Sequence, residues 1–275
     1  MLRRTTVLVG SFVVLAFSMV LGADVQSPLG PSAEQVIEKN IAARGGLQAW
    51  RGMQSLSMSG KMEAGGNESP TRPGPGVRTG GVQLPKRPAE QTQLPFRLEM
   101  KRTRKSRLEI DFRGETAVQV FDGTHGWKLR PFLNRHEVES FTPDEIKAVA
   151  LQSDLDGPLV DYSAKGTKVE LEGTDKVEGQ DAYRLKLTFK TGEARHVWID
   201  ANTFLEIKIE GTPRRLDGMV HSVEIYYHDY RTVGGLKMPY LTETKVQGVK
   251  QTEKIEVEEV AVNARVEDSR FAKLQ

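Results

Sequence analysis

The run Phe96-Arg97-Leu98-Glu99-Met100-Lys101, then the basic turn through Ser106, then Arg107-Leu108-Glu109-Ile110-Asp111-Phe112-Arg113 alternates apolar and charged residues twice in succession. Period-two alternation sends successive side chains to opposite faces of an extended chain. Two such runs joined by a turn predict a pair of antiparallel strands with one oily and one heavily charged face. The charged face is expected in water. The oily face needs a cover, and the nature of that cover decides function.

Working outward, strand signals dominate. Leu56, Met58, Gly60 and Met62 share a face of a first strand. Thr116–Phe121 and Gly126–Arg130 form a hairpin around Asp122-Gly123, with Trp127 and Leu129 on one face. From Lys168 onward, Tyr183-x-Leu185-x-Leu187-x-Phe189, the Trp198 segment, Leu205-x-Ile207-x-Ile209 and longer runs near 219–230, 236–247 and 251–262 continue the pattern. About eleven or twelve strands in sequential hairpins imply an antiparallel meander. A sheet so wide curls, so the expected class is mainly β (α+β), an incomplete barrel of about 11 strands with a concave interior.

Two helices are expected to cover the open side. Ser32 with Gln35 makes a capping box opening a helix that carries Ala33, Val36, Ile37 and Ile41 on one side, ended by Gly45-Gly46. Thr142 and Glu145, with Pro143 at the first helical position, make a second, whose Ile146, Val149 and Ala150 turn towards the core.

Arg3 and Arg4 precede an apolar run, Val7–Leu21, that ends in Gly22 and Ala23. This is the pattern of a secretory signal peptide over residues 1–23, with an uncleaved anchor as the alternative. Residues 24–275 then form a single domain, interrupted at about 65–94 by a stretch holding six glycines and five prolines, which reads as an inserted loop. Gly74-Pro75-Gly76 lacks an adjoining helix and makes a poor phosphate loop. The chain has no cysteine, so its stability in an oxidising compartment must come from packing. Loss of Arg3 and Arg4 takes the formal net charge from +2 to zero, which argues against a nucleic-acid partner.

Catalytic patterns are missing from the sequence: it has no G-x-S-x-G, H-E-x-x-H or phosphate-loop lysine motif. If His221 and His228 share one strand, their spacing of seven puts them on opposite faces, unable to share a metal. Glu224, Tyr226 and His228 do share a face, where a solvated strand surface explains them more simply than acid–base machinery. No enzyme, catalytic residue, metal or cofactor is expected. The basic turn, with Lys101, Arg102, Arg104, Lys105 and Arg107, reads either as a lipid-headgroup contact or as a solvated hairpin tip.

The order of these pieces resembles the LolA-like outer-membrane lipoprotein-sorting family. The similarity runs through Ala33–Gly46, Pro95–Arg102, Asp156–Tyr162, Thr203–Lys208, Asp229–Leu236 and the ending Asp268-Ser269-Arg270-Phe271. The resemblance implies an incomplete antiparallel barrel with helices in its open side. It also implies a periplasmic role in shielding acyl chains of lipoproteins or lipids without catalysis, with inner- and outer-membrane transfer partners and a monomeric state. Relatives of the fold that sense envelope stress supply the alternative, an interaction protein whose sheet or loop binds another protein. For a cavity, the lining residues expected are Met58, Leu98, Met100, Leu108, Ile110, Phe112, Trp127, Leu187, Trp198 and Ile207; the competing expectation is that they fill a closed core.

Overall fold

The computed structural model describes residues 30–65, 91–131, 134–216 and 218–274. The expected signal peptide and most of the expected loop lie outside the described residues. The chain enters through α1 (Ala33–Ala43), where Ser32 and Gln35 bond reciprocally as the capping box requires, and α2 (Leu47–Gly52). Six strands follow: β1 (Ser55–Gly65), β2 (Gln91–Lys101), β3 (Lys105–Phe112), β4 (Glu115–Phe121), β5 (Gly126–Arg130) and β6 (Arg135–Ser140). After α3 (Pro143–Gln152), capped by Thr142 and Glu145, come β7 (Lys168–Val177), β8 (Gln180–Thr188), β9 (Ala194–Asp200) and β10 (Glu206–Glu210). A small ribbon, β11 (Arg214–Leu216) and β12 (Met219–His221), precedes β13 (Val223–Val233), β14 (Leu236–Val246) and β15 (Glu253–Val262).

Thirteen strands make one open antiparallel sheet in the order β6-β5-β4-β3-β2-β1-β15-β14-β13-β10-β9-β8-β7. The sheet is curved and unclosed, as expected, although its strands outnumber the eleven or twelve anticipated. Two further differences have local causes. β2 begins at Gln91 because Gly65 pairs with Gln91 and Met62 with Leu94, so the strand claims the end of the stretch read as loop. The run near 219–230 is broken at Ser222, so His221 and His228 lie on different strands.

The central pair forms as the alternation dictates: Phe96 faces Ile110, Leu98 faces Leu108, and on the other side Glu99 faces Arg107. That charged face is not simply in water. A final 3₁₀ turn, Asp268–Phe271, packs over it. Arg270 donates to Glu99 at 2.8 Å and to Glu109 at 3.0 Å, while Phe271 is buried against Val118 and Val120. Arg270 thus bridges two carboxylates that alternation alone places in solvent, with Arg107 supplying the second positive charge at Glu109.

On the opposite, concave face, the helices divide the sheet into two cores. α1 drops Val36 and Ile37 onto Leu185, Leu187, Val197 and Ile199, filling that half. It is pinned there by Asn40, whose Nδ2 donates to the Phe204 carbonyl at 2.8 Å, and by the buried Arg44–Glu206 pair at 2.7 Å. Over the other half, Trp50 of α2 meets Met53, Leu56, Met100, Leu155, Val160 and Met238.

Candidate functional site

Between that second half of the sheet and its cover lies a cavity of about 400 Å³, within the range of roughly 300–1,000 Å³ common for small-molecule sites. Its floor comes from strand alternation. Leu56, Met58 and Met62 of β1, Phe96, Leu98 and Met100 of β2, Leu108 of β3, Met238 of β14 and Ile255 and Val257 of β15 all face inward. The six steps from Leu56 to Met62 give the floor a length of roughly 20 Å at the usual strand rise. The roof is Trp50, Phe141, Val149, Gln152, Ser153 and Leu155. Four methionines, Met58, Met62, Met100 and Met238, line this one space; unbranched and polarisable, methionine conforms to ligands of variable shape.

Among the described residues six polar side chains reach the wall; Arg44, Ser106 and Ser153 have side-chain partners, while the buried Arg44 Nε and Trp50 Nε1 have none. Arg44 lies over the Trp50 ring with its guanidinium carbon 4.2 Å from the centroid, and it bonds Glu206. Ser106 and Ser153 hydroxyls meet at 2.7 Å, joining floor to roof. The roof is also tied at the β2–β3 turn. Arg102 makes two bonds to Asp156, at 2.6 and 2.8 Å, and donates to the carbonyls of Met53 and Trp50. On the far side Lys128 bonds Glu145 of α3, and Arg51 holds Asp161 through bonds of 2.6 and 3.0 Å. Those bonds keep the Asp161 carboxyl below its ordinary range.

The ten expected lining residues separate into distinct places. Met58, Leu98, Met100 and Leu108 line the cavity together. Ile110 and Phe112 continue the β3 face beyond its edge, outside the lining. Leu187 lies on the concave side but is fully buried under α1. Trp127 is on the opposite face, against Val118, Val120, Val266 and Phe271. Trp198 and Ile207 pack there too, with Val177, Ala182 and Tyr226. Met62 and Phe96 share the parity of residues already read as inward, so their place was within reach of the alternation; Met238 lies on β14, where no residue was read as lining. Arg44 was not: a base at a helix C-terminus ordinarily caps the helix dipole.

Of the five basic residues in the turn, four have carboxylate partners. Lys101 and Lys105 hold Asp268 at 3.1 and 3.0 Å, Arg102 holds Asp156 and Arg107 bonds Glu109 at 2.7 Å. Arg104 alone of the five is without such a partner among the described residues.

On the convex face Tyr226 donates to Glu224 at 2.9 Å and Lys208 reaches the same carboxylate at 3.1 Å. Burial, reinforced by Glu224, raises the Tyr226 phenol well above its ordinary value, which keeps it protonated. Among the described residues one group of three has metal-ligating atoms close together, Glu178, His228 and Glu243, within 4.8 Å. The Lys245 ammonium, 3.6 Å from Glu178, already supplies a cation there.

No family model matches the sequence, and no curated protein does. Solved structures do match. A LolA superfamily protein from Nitrosomonas europaea superposes with a TM-score of 0.53 at 13% identity, over 89% of this chain and 99% of the other. The fold is LolA-like. A domain assigned as an outer membrane lipoprotein-sorting protein, from Vibrio parahaemolyticus, gives 0.54 at 13% identity, covering 88% and 96% of the two chains. A DUF1329 family protein from Desulfovibrio piger gives 0.55 at 11% identity, covering 87% and 97%. In this LolA-like sheet the unfilled half of the concave face is the candidate site. No helix among the described residues is long and apolar enough to cross a membrane.

Proposed function

We propose that this protein is a periplasmic carrier that shelters the acyl chain of a lipoprotein or lipid in the cavity between its sheet and its cover. The reading includes export by the signal peptide over residues 1–23, action as a monomer, and transfer between inner- and outer-membrane partners. One observation carries it: an apolar space of about 400 Å³, rich in methionine, where the other half of the same face is packed solid by α1. Burial is the mechanism, with no chemistry. Each methylene removed from water contributes about 0.8 kcal/mol, so a long chain gains on the order of 10 kcal/mol from full shelter. Release then requires the roof to lift, and its α3 part, which has no buried side chain, is the part held by polar contacts, while Trp50 and Leu155 stay packed in the apolar cluster with Leu56 and Met100. The similarity in fold to a lipoprotein-sorting domain supports this reading.

The test is titration of delipidated protein with a fluorescent fatty acid, paired with mass spectrometry of lipids extracted from protein purified without detergent. Saturable binding at one site and a co-purified acyl lipid are expected. Linear, unsaturable uptake with no lipid in the extract would remove the proposal.

A further inference from the structure

Among the described residues three large apolar side chains stand exposed: Leu151, Met219 and Val220. Met219 and Val220, 64% and 61% exposed, are neighbours on β12 of the small ribbon. The β11–β12 register sets Val220 opposite Arg215 and Met219 opposite Leu216. Paired residues share a face and successive residues alternate, so the two apolar side chains leave the ribbon on opposite sides. The result is a wedge rather than a flat patch. A protein surface covers one side of a ribbon, whereas a fluid hydrocarbon layer receives both.

The ribbon's position and charge point to the same medium. Arg214 grips Glu253 with bonds of 2.8 and 2.7 Å, anchoring the ribbon to the start of β15, two residues from the cavity residue Ile255. The base of the ribbon is therefore tied near the Met62–Ile255 end of the cavity. The sequence Arg214–His221 carries one net positive charge with histidine neutral, and Arg215 is exposed beside Val220. We infer that the β11–β12 ribbon is a membrane-docking tip that sets Met219 and Val220 into the interface of a bilayer with anionic headgroups, which Arg215 meets. This goes beyond the carrier reading, because docking and cavity binding use separate residues.

Flotation with vesicles made of equal parts phosphatidylethanolamine and phosphatidylglycerol tests it, with phosphatidylcholine vesicles as the neutral comparison. The full chain is expected to float with the anionic vesicles and less with the neutral ones. Met219→Asp combined with Val220→Asp should reduce flotation at least about tenfold, given the apolar area withdrawn, with an unchanged thermal midpoint; Val220→Ser is the milder variant should the pair fail to fold. Arg215→Glu should remove the preference for anionic vesicles. Wild-type protein that floats with neither vesicle, or variants that float like wild type, would overturn the inference. Fatty-acid titration of the double variant separates the two readings: intact binding without flotation loss sinks the tip alone, and absent binding in wild type sinks the carrier alone.

Discussion

Arg102 grips Asp156 through two parallel bonds of 2.6 and 2.8 Å, across a gap between the tip of one hairpin and the segment that roofs the cavity. The Asp156 side chain is only 8% exposed, so the arginine is its counter-charge and the roof's clasp at once. Burial opposes the guanidinium charge, but the bond to Asp156 outweighs it and raises the Arg102 value above the ordinary one.

Replacing Arg102 by Met leaves that carboxylate buried without a cation. Removal of one partner of a fully buried pair costs about 3–5 kcal/mol; with Arg102 itself partly exposed, about 1–3 kcal/mol is expected. Urea denaturation reads the loss, and hydrogen exchange localises it: amides of 153–166 should exchange faster than those of β8 and β9. Uniform acceleration throughout the sheet would show that the contact does not act on the roof.

Leu98→Trp puts a larger side chain into empty space rather than into packed core. Stability should change by less than about 1.5 kcal/mol, while fatty-acid affinity falls at least about tenfold. Leu187→Ala reverses the pattern, since it opens a hole under α1 worth about 2–5 kcal/mol and leaves the cavity wall intact. Equal loss of binding in both variants would move the binding site elsewhere.

Acid should destabilise the fold through its depressed carboxyls. The Arg51 bonds hold Asp161 low, the bonds from Lys105 and Lys101 hold Asp268 low, and for Glu145 burial pushes upward but Lys128 and the Thr142 N–H more than reverse it. A folded-state value below the unfolded one of about 4 means stability that is complete above that pH and lost as pH falls through the folded values. The thermal midpoint should therefore hold from neutrality to about pH 5 and drop below about pH 4. Glu145→Gln should flatten part of that drop. At the alkaline end the sign reverses for phenols: Tyr226 and Tyr230 are raised chiefly by burial, so their contribution is complete below about pH 10 and lost above it.

Gly60 sits at a register shift in β1, and a Cβ there would fall 2.0 Å from the Glu256 carbonyl oxygen. That oxygen belongs to backbone and cannot swing aside. Gly60→Ala should cost at least about 1–3 kcal/mol, read by urea denaturation. Gly52→Ala, where nothing lies within 4 Å, is the matched control and should be nearly neutral.

Much of this architecture was legible because local patterns carried it. The alternation around Phe96 and Leu108 gave an antiparallel strand pair, and the Ser32 and Thr142 capping boxes marked two helix starts to the residue. The lining was harder to read, for a physical reason. Leu98 and Leu187 sit in equally regular alternating runs, yet one faces open space and the other lies beneath α1; only the placement of a helix distant in sequence distinguishes them. Trp127 and Trp198 show a second limit. Trp198 is flanked by Val197 and Ile199, so β9 is apolar on both faces and its parity is undefined until its neighbours are known. Burial of Glu99 by the arriving Arg270 is likewise a long-range event that no window around β2 contains.

The middle of the sheet is a seam between β1 and β15, where Leu56 meets Val262 and Met62 meets Ile255. Residues about 200 positions apart must therefore find each other before either half of the meander has a finished neighbour, which makes for slow closure. A polypeptide that stays unstitched until its final strand emerges remains threadable. On the export route proposed above, that delay keeps the chain fit for a translocation pore, where early locking would jam the passage.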